Sequence, residues 1–212
     1  MVDERVKIFD ENRNPIGVAS RDEVHRLGHW HEVFQCWFIR REEGSEKVYL
    51  QLRSSLKKDF SGLFDITAAG HLMENESVND GVREIKEELG VHVSYEELHP
   101  LLVMNASIKQ NDFIDNEIAN IFLFEYNQSF DAFHLQKEEV AGIVQADFDA
   151  FYHLWMGMQT DIHVDGFWFN HKGERNKLNQ KISKDHFVPH ESSYYEAVVK
   201  EMKRYFSQAE NR

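Results

Sequence analysis

Apolar residues recur along the chain in short blocks with two different periods. Residues 5–9 (RVKIF) carry the pattern of a short strand, and the polar run 10–15 (DENRNP) predicts a turn after it. Residues 33–40 are aromatic-rich and β-like. They are followed by a polar, Gly-containing connection at 42–46 and a second apolar run at 48–53, which together predict a hairpin. Further strands are predicted over 63–69, broken at Gly70, and over 101–109 and 117–126. The period changes at 77–89, where Val78, Val82, Ile85 and Leu89 fall on one face of a helix. Ser77 is a suitable N-cap for that helix, with Asp80 three residues on, and Gly90 stands where a C-cap glycine belongs. A helical turn is predicted over 20–26, and helices over 146–156 and 192–206. Strands and helices without regular alternation predict an α+β fold, with helices on the faces of a sheet.

Composition narrows the class. At 212 residues the chain suits one globular unit, and 42% hydrophobic against 29% charged residues excludes a disordered chain. The 37 acids and 24 bases give a net charge of −13, which argues against a nucleic-acid polymer or an anionic membrane as partner. A phosphate-bearing substrate remains compatible if a cation mediates. The single cysteine, Cys36, excludes an intramolecular disulfide framework and any multi-Cys zinc site, and its apolar surroundings mark it as a small core residue. The charged N-terminal stretch lacks the apolar region of a signal peptide, and no apolar run approaches the ~20 residues of a membrane span. A cytoplasmic location is expected.

The chemistry concentrates on the 77–89 helix. Glu84, Glu87 and Glu88 lie at i, i+3 and i+4 on the side away from the apolar face. Like charges so placed repel by roughly a few tenths of a kcal/mol per pair unless something positive neutralises them. Arg83 is one partner but cannot satisfy three carboxylates. A hard divalent cation with a preference for oxygen, Mg²⁺ or Mn²⁺, would complement them.

Gly70, Glu76 and then Arg83-Glu84-Ile85-Lys86-Glu87-Glu88-Leu89-Gly90-Val91 resemble the Nudix box, G-x5-E-x7-R-E-U-x-E-E-x-G-U, where U is a bulky aliphatic. Every specified residue type is present over 70–91. One spacing departs: six residues rather than seven separate Glu76 from Arg83, which bears on the role of Glu76 and leaves the helix register beyond Arg83 intact. The resemblance implies an α/β/α sandwich and a diphosphate-cleaving enzyme. It makes Glu84, Glu87 and Glu88 metal ligands, has Gly70 contribute its carbonyl oxygen, and has Arg83 orient the acids by ion pairing.

Beyond the box, roughly residues 6–125 resemble the branch that holds isopentenyl-diphosphate isomerase and its hydrolase-like relatives. Glu23-Val24-His25, Trp30-His31, 50–54 (LQLRS), 65–71 (DITAAGH) and Asp115-Asn116-Glu117 carry that likeness. In the isomerases the positions of His25, His31 and His71 hold metal-binding histidines, and those of Asp115 and Glu117 hold acids of the same site. The isomerase also needs a cysteine directly before its Gly-His pair. Ala69 stands there, and a methyl group cannot move a proton. His71 beside Gly70 is thus a further candidate ligand, and His25, His31 and His71 would form a second, transition-metal site if they met with a carboxylate. Glu117 is a candidate base or ligand, with a solvating strand-edge charge as the alternative.

The sequence therefore predicts a metal-dependent hydrolase of a nucleoside diphosphate-X or related organic diphosphate, with Glu87 or Glu88 on metal and Glu84 or Glu117 as base. An isomerase-like enzyme and a non-catalytic nucleotide- or diphosphate-binding module are the alternatives. The organisation expected is an N-terminal segment over 1–28, a Nudix domain over 29–160 and a C-terminal extension over 161–212 within the same unit. Its last helix would cap the sandwich or form a homodimer interface. Trp155, Trp168, Phe167 and Phe169 are expected in the core or a pocket wall. Residues 60–64 (FSGLF) replace the family's usual Pro-Gly-x-Trp, which suggests repacking near the site.

Overall fold

The computed structural model describes residues 4–42 and 44–209; Glu43, in the connection expected at 42–46, and the outermost residues of the expected first and last segments lie outside them. Among the described residues, eleven strands form one mixed sheet whose main path runs β11 (Arg175–Ser183), β10 (Asp161–Phe169), β9 (Val140–Asp147), β4 (Ser45–Arg53), β3 (Trp30–Glu42), β1 (Arg5–Phe9) and β2 (Pro15–Ser20). Off this path, β5 (Phe64–Asp65) pairs with β4 and β6 (Ala68–His71) with β3. The long β7 (His99–Gln110)–β8 (Phe113–Glu125) hairpin joins through a parallel β3–β8 ladder. Four α-helices accompany the sheet among the described residues: α1 (Arg21–Leu27), α2 (Arg83–Leu89), α3 (Phe148–Trp155) and α4 (Ser192–Ala209). None is long and apolar enough to cross a membrane.

β3 organises the molecule because both its faces are covered. Consecutive strand side chains point to opposite faces. Phe34, Cys36 and Phe38 therefore pack with Ile85 and Leu89 of α2, while Val33, Trp37 and Ile39 pack with Phe151 of α3 and Val199 and Met202 of α4. This sandwich explains why residues 33–40 read as continuously apolar. Cys36 is fully buried, as its surroundings indicated, and burial pushes its thiol pKa well up. α4 packs on α3 and β7, so this helix caps the sandwich.

Several elements differ from expectation. The predicted 63–69 strand is two short ones, β5 and β6, and Gly70 lies inside β6 rather than ending it. The predicted 77–89 helix is a 3₁₀ segment, Val78–Val82, followed by α2. A 3₁₀ segment rises about 2.0 Å per residue against about 1.5 Å for an α-helix, so its five residues span what six or seven α-helical ones would. That stretch absorbs the missing box residue before α2 begins. Asp80 caps it by accepting from the Ser77 N–H at 2.9 Å and the Ser77 hydroxyl at 2.7 Å. Gly90 ends α2 in the left-handed region, φ 69°.

Strands β2, β9, β10 and β11 were not predicted. β11 buries only Leu178 and Ile182, four residues apart among polar ones, which hides the period of two. β9 takes residues 140–147, so α3 starts at Phe148 with the Asp147 carboxylate accepting from the Ala150 N–H. Of the expected aromatics, Phe167 is buried in the core and Phe169 packs beside it, whereas Trp168 faces solvent. Trp155 stacks on Tyr195 of α4 with ring centroids 3.6 Å apart and planes 7° from parallel. Trp155→Ala is expected to cost about 3–5 kcal/mol, read as a lowered midpoint in urea unfolding, because it opens a cavity where α3 meets α4.

Candidate functional site

Register brings the site together. In the β3–β6 ladder Phe34 opposes Gly70 and Val33 opposes His71; in the β3–β8 ladder His31 opposes Glu117. Gly70 and His71 are neighbours in β6, so Gly70 faces α2 while the His71 side chain turns to the other face, towards His31. One strand thus carries two polar centres, one on each side.

The first centre is built on α2. A Cβ placed on Gly70 would lie 2.2 Å from the Glu84 carboxylate, so only glycine lets that carboxylate rest against the β6 backbone. Glu88 is buried, and one of its oxygens accepts from the Ala69 N–H at 3.1 Å and the Gln51 amide at 3.4 Å. Burial pushes Glu84 up to about 7 and Glu88 up to about 8. Glu87 remains half-exposed.

Arg83 ties these acids together. Its Nη1 is 2.7 Å from Glu84 and 3.0 Å from Glu87, and its Nη2 donates to the His71 carbonyl at 3.0 Å. Glu76 accepts from Arg83 Nε at 2.5 Å and Nη2 at 3.0 Å, and also from the Met73 N–H at 2.8 Å. The hydrogen bonds from Arg83 lower the Glu76 pKa. The contracted spacing therefore leaves Glu76 as the anchor of Arg83. Among the described residues, Glu84, Glu87 and Glu88 do not converge to within the 4.8 Å that relates the ligand atoms of the second centre. The guanidinium supplies the positive charge between Glu84 and Glu87 instead.

The second centre joins residues from four elements: His25 of α1, His31 of β3, His71 of β6, and Asp115 with Glu117 of β8. Single donor atoms of His25, His31 and His71 lie within 4.8 Å of one another, as do those of His31, Asp115 and Glu117. His25 Nε2 is 3.4 Å and His31 Nε2 3.5 Å from the same oxygen of Asp115. The His29 carbonyl, 3.1 Å from His31 Nδ1, accepts its proton and so directs the Nε2 lone pair inwards. Burial drives His31 down to about 3 and lowers His71. At Asp115, burial acts upward, but the close approach of His25, His31 and His71 outweighs it and holds the carboxyl below its ordinary range. Burial, reinforced by Asp115 and Asp65, raises Glu117 strongly.

This donor set has the mark of a cation site. His25 Nε2, His31 Nε2 and Asp115 Oδ1 are buried without a hydrogen-bond partner. Buried polar atoms left orphaned cost roughly 1–3 kcal/mol each, and three of them converge. Imidazoles with a carboxylate suit Mn²⁺ or Zn²⁺ better than Mg²⁺.

Sequence reasoning missed the residues that support Glu117. Gln35 of β3 donates to Glu117 at 3.1 Å, and the Tyr194 hydroxyl of α4 donates to Gln35 at 2.6 Å. A buried ion pair, Arg53–Asp65 at 2.7 Å, lies close enough that both residues act on Glu117. A polar Gln inside an otherwise apolar strand was the one signal available for Gln35.

The chain is 36% identical over 200 residues to an uncharacterized Nudix hydrolase of Clostridium acetobutylicum, covering 94% of this chain and 97% of that protein. It is 30% identical over 184 residues to Nudix hydrolase 3 of Arabidopsis thaliana, of which it spans 23%. It is 29% identical over 129 residues to an isopentenyl-diphosphate Δ-isomerase of Burkholderia multivorans, covering 59% of this chain and 69% of that enzyme. The crystal structure of DR0079 from Deinococcus radiodurans shares the fold, with a TM-score of 0.54 over 73% of this chain and 88% of that one at 15% identity. No protein-family model matches. The chain belongs to the Nudix hydrolase family and has its fold. It is a hydrolase of the pyrophosphate linkage.

Proposed function

We propose that the protein hydrolyses the diphosphate linkage of a nucleoside diphosphate-X or related organic diphosphate, and that a divalent cation is required. The observation that carries this reading is Glu84 seated on Gly70, beside Glu88 and within reach of Arg83. Gly70 through its carbonyl, with Glu84, Glu87 and Glu88, would hold Mg²⁺ or Mn²⁺; His25, His31 and His71 with Asp115 would hold a second, softer cation. Bound cations would neutralise phosphoryl oxygens and lower the pKa of a water. Arg83, held charged by Glu76, sets the orientation of Glu84 and Glu87. Glu117, whose proton affinity burial raises, would take a proton from the attacking water once ionised; Glu84 is the other group suited to that role.

The isomerase alternative fares poorly. Ala69 occupies the position of the required thiol, and its N–H is spent on Glu88. Cys36 points to the opposite face of β3 from His31 and Gln35, among Phe34 and Phe38.

A panel of nucleoside and isoprenoid diphosphates, followed for phosphate-containing products with Mg²⁺, with Mn²⁺ and with chelator, tests the reading. Cation-dependent cleavage is expected. Conversion of isopentenyl diphosphate to its dimethylallyl isomer, or tight nucleotide binding without any cleavage, would overturn it. Glu87→Gln is expected to lower kcat roughly 100-fold at saturating Mg²⁺. Full activity in that variant would remove Glu87 from the site.

Acidity supplies a second check. Glu84 at about 7 and Glu88 at about 8 both carry protons below neutrality in the cation-free protein, and a cation must displace them. Mg²⁺ affinity is therefore expected to fall as pH drops from 8 to 6, up to about ten-fold per unit for each proton displaced. Calorimetry in buffers of different ionisation enthalpy reads those protons directly, and a pH-independent affinity would contradict the assignment.

A further inference from the structure

We propose that the C-terminal helix α4 takes part in the reaction as a positioning element: Tyr194, acting through Gln35, fixes the Glu117 carboxylate. The inference rests on the hydrolase reading of Glu117 above. Tyr194 and Gln35 are both essentially buried, at 1% exposure, and the chain Tyr194 hydroxyl, Gln35 amide, Glu117 carboxylate is continuous at 2.6 and 3.1 Å.

Donor logic gives this chain a direction. In the ionised form that a base requires, the Glu117 carboxylate only accepts, so Gln35 offers it the NH₂ and leaves its oxygen for a donor. The Tyr194 hydroxyl is that donor. With it the amide is held at both ends, the NH₂ on Glu117 and the oxygen under Tyr194; without it one end is unheld and Gln35 is free to move off the carboxylate.

Tyr194 is itself held from several sides. His190 stacks on its ring with centroids 4.5 Å apart and planes 25° from parallel. The neighbouring Tyr195 hydroxyl donates to the Val188 carbonyl at 2.8 Å, and the Val188 N–H donates to the Phe64 carbonyl of β5 at 2.9 Å. The segment leading into α4 is thereby pinned to the strand that carries Asp65. The same tyrosine would serve merely as core packing if its hydroxyl faced a backbone carbonyl, as that of Tyr195 does. Instead it meets the one polar side chain that touches Glu117 among the hydrogen bonds of the described residues.

The test uses Tyr194→Phe, Gln35→Ala, the double variant, and Tyr205→Phe as a same-helix control whose hydroxyl bonds Glu125 at the surface. Loss of this hydrogen bond to Gln35 is expected to lower kcat about ten-fold in Tyr194→Phe, with KM within about two-fold of the wild type. Gln35→Ala should lose at least as much, and the double variant no more than Gln35→Ala, because the two residues act in series. Tyr205→Phe should keep wild-type kcat. Unchanged kcat in Tyr194→Phe, a loss confined to KM, or fully additive losses would overturn the proposal. A readout independent of turnover is the ¹⁵N side-chain amide signal of Gln35, assigned by its disappearance in Gln35→Ala. It should shift and exchange faster with water in Tyr194→Phe, and an unmoved signal would also overturn the proposal. Turnover absent from the wild type on every substrate counts against the hydrolase reading, and the amide signal still decides whether Tyr194 orients Gln35.

Discussion

Exchanging Glu84 and Glu88 together for glutamine is expected to lower cation-dependent turnover by roughly 1000-fold, a loss of about 4 kcal/mol in transition-state stabilisation. The same exchange is expected to raise the melting temperature of the cation-free protein at pH 8. Both effects have one cause. In the folded protein these carboxylates sit where burial raises them to about 7 and 8, against an ordinary value of 4.5. A carboxyl with a raised folded-state value binds more protons folded than unfolded between those limits, so its contribution to stability falls as pH climbs through them. At pH 8 the fold carries that cost, and a neutral isostere removes it. Glutamine keeps the acceptors in place: one oxygen of Glu88 receives both the Ala69 N–H and the Gln51 amide, which a glutamine oxygen can also do, and at Glu84 a glutamine oxygen can accept from Arg83 Nη1. Each 1 kcal/mol recovered should appear as about 2–4 °C in differential scanning calorimetry with chelator present. A variant that loses activity and melts lower would mean these acids serve the fold rather than the chemistry.

Asp115→Asn should have the second large effect, on the other face of β6. Asp115 is the carboxylate that His25 and His31 share. Removing its charge takes away the anionic donor while leaving the side-chain volume. Loss of a ligand should exceed the roughly 10–100-fold that losing an outer partner costs, so Mn²⁺ or Zn²⁺ affinity is expected to fall by at least about 100-fold. Metal content after dialysis and titration calorimetry both read this. Retained affinity would show that the histidines and Asp115 are a polar cluster satisfied without a cation. Glu84→Gln should leave the affinity of this second centre largely intact, which separates the two sites.

The legibility of the site followed sequence distance. Gly70, Glu76 and Arg83–Leu89 lie within twenty residues, so their spacing alone declares the box. His25, His31, His71, Asp115 and Glu117 are spread over ninety-three positions, and no local pattern says they meet; the family likeness alone suggested it. What brings them together is the parallel β3–β8 register and the alternation at Gly70 and His71. Gln35 and Tyr194 are 159 residues apart and share no motif, so their contact was invisible in the sequence. Helix α2 was readable because its apolar face is strong. Its first turns were not, because the hydrophobic spacing of Val78 and Val82 is satisfied by a 3₁₀ segment as well as by an α-helix. The hairpin of β10 and β11 was missed because β11 has one mostly solvated face and buries too few residues to show a period.

Anomalous diffraction from crystals of the wild-type chain soaked in Mn²⁺ with a non-hydrolysable organic diphosphate addresses the two-centre reading at its root. Expected are one manganese peak bounded by the Gly70 carbonyl, Glu84, Glu87 and Glu88, a second among His25, His31, His71 and Asp115, and phosphoryl oxygens of the analogue at the first. Arg83 should keep its paired bonds to Glu76 while loosening its hold on Glu84 or Glu87. Manganese absent from the carboxylates of α2, with Arg83 still bridging Glu84 and Glu87 in the presence of bound analogue, would contradict the claim that this helix is a cation-dependent diphosphate centre.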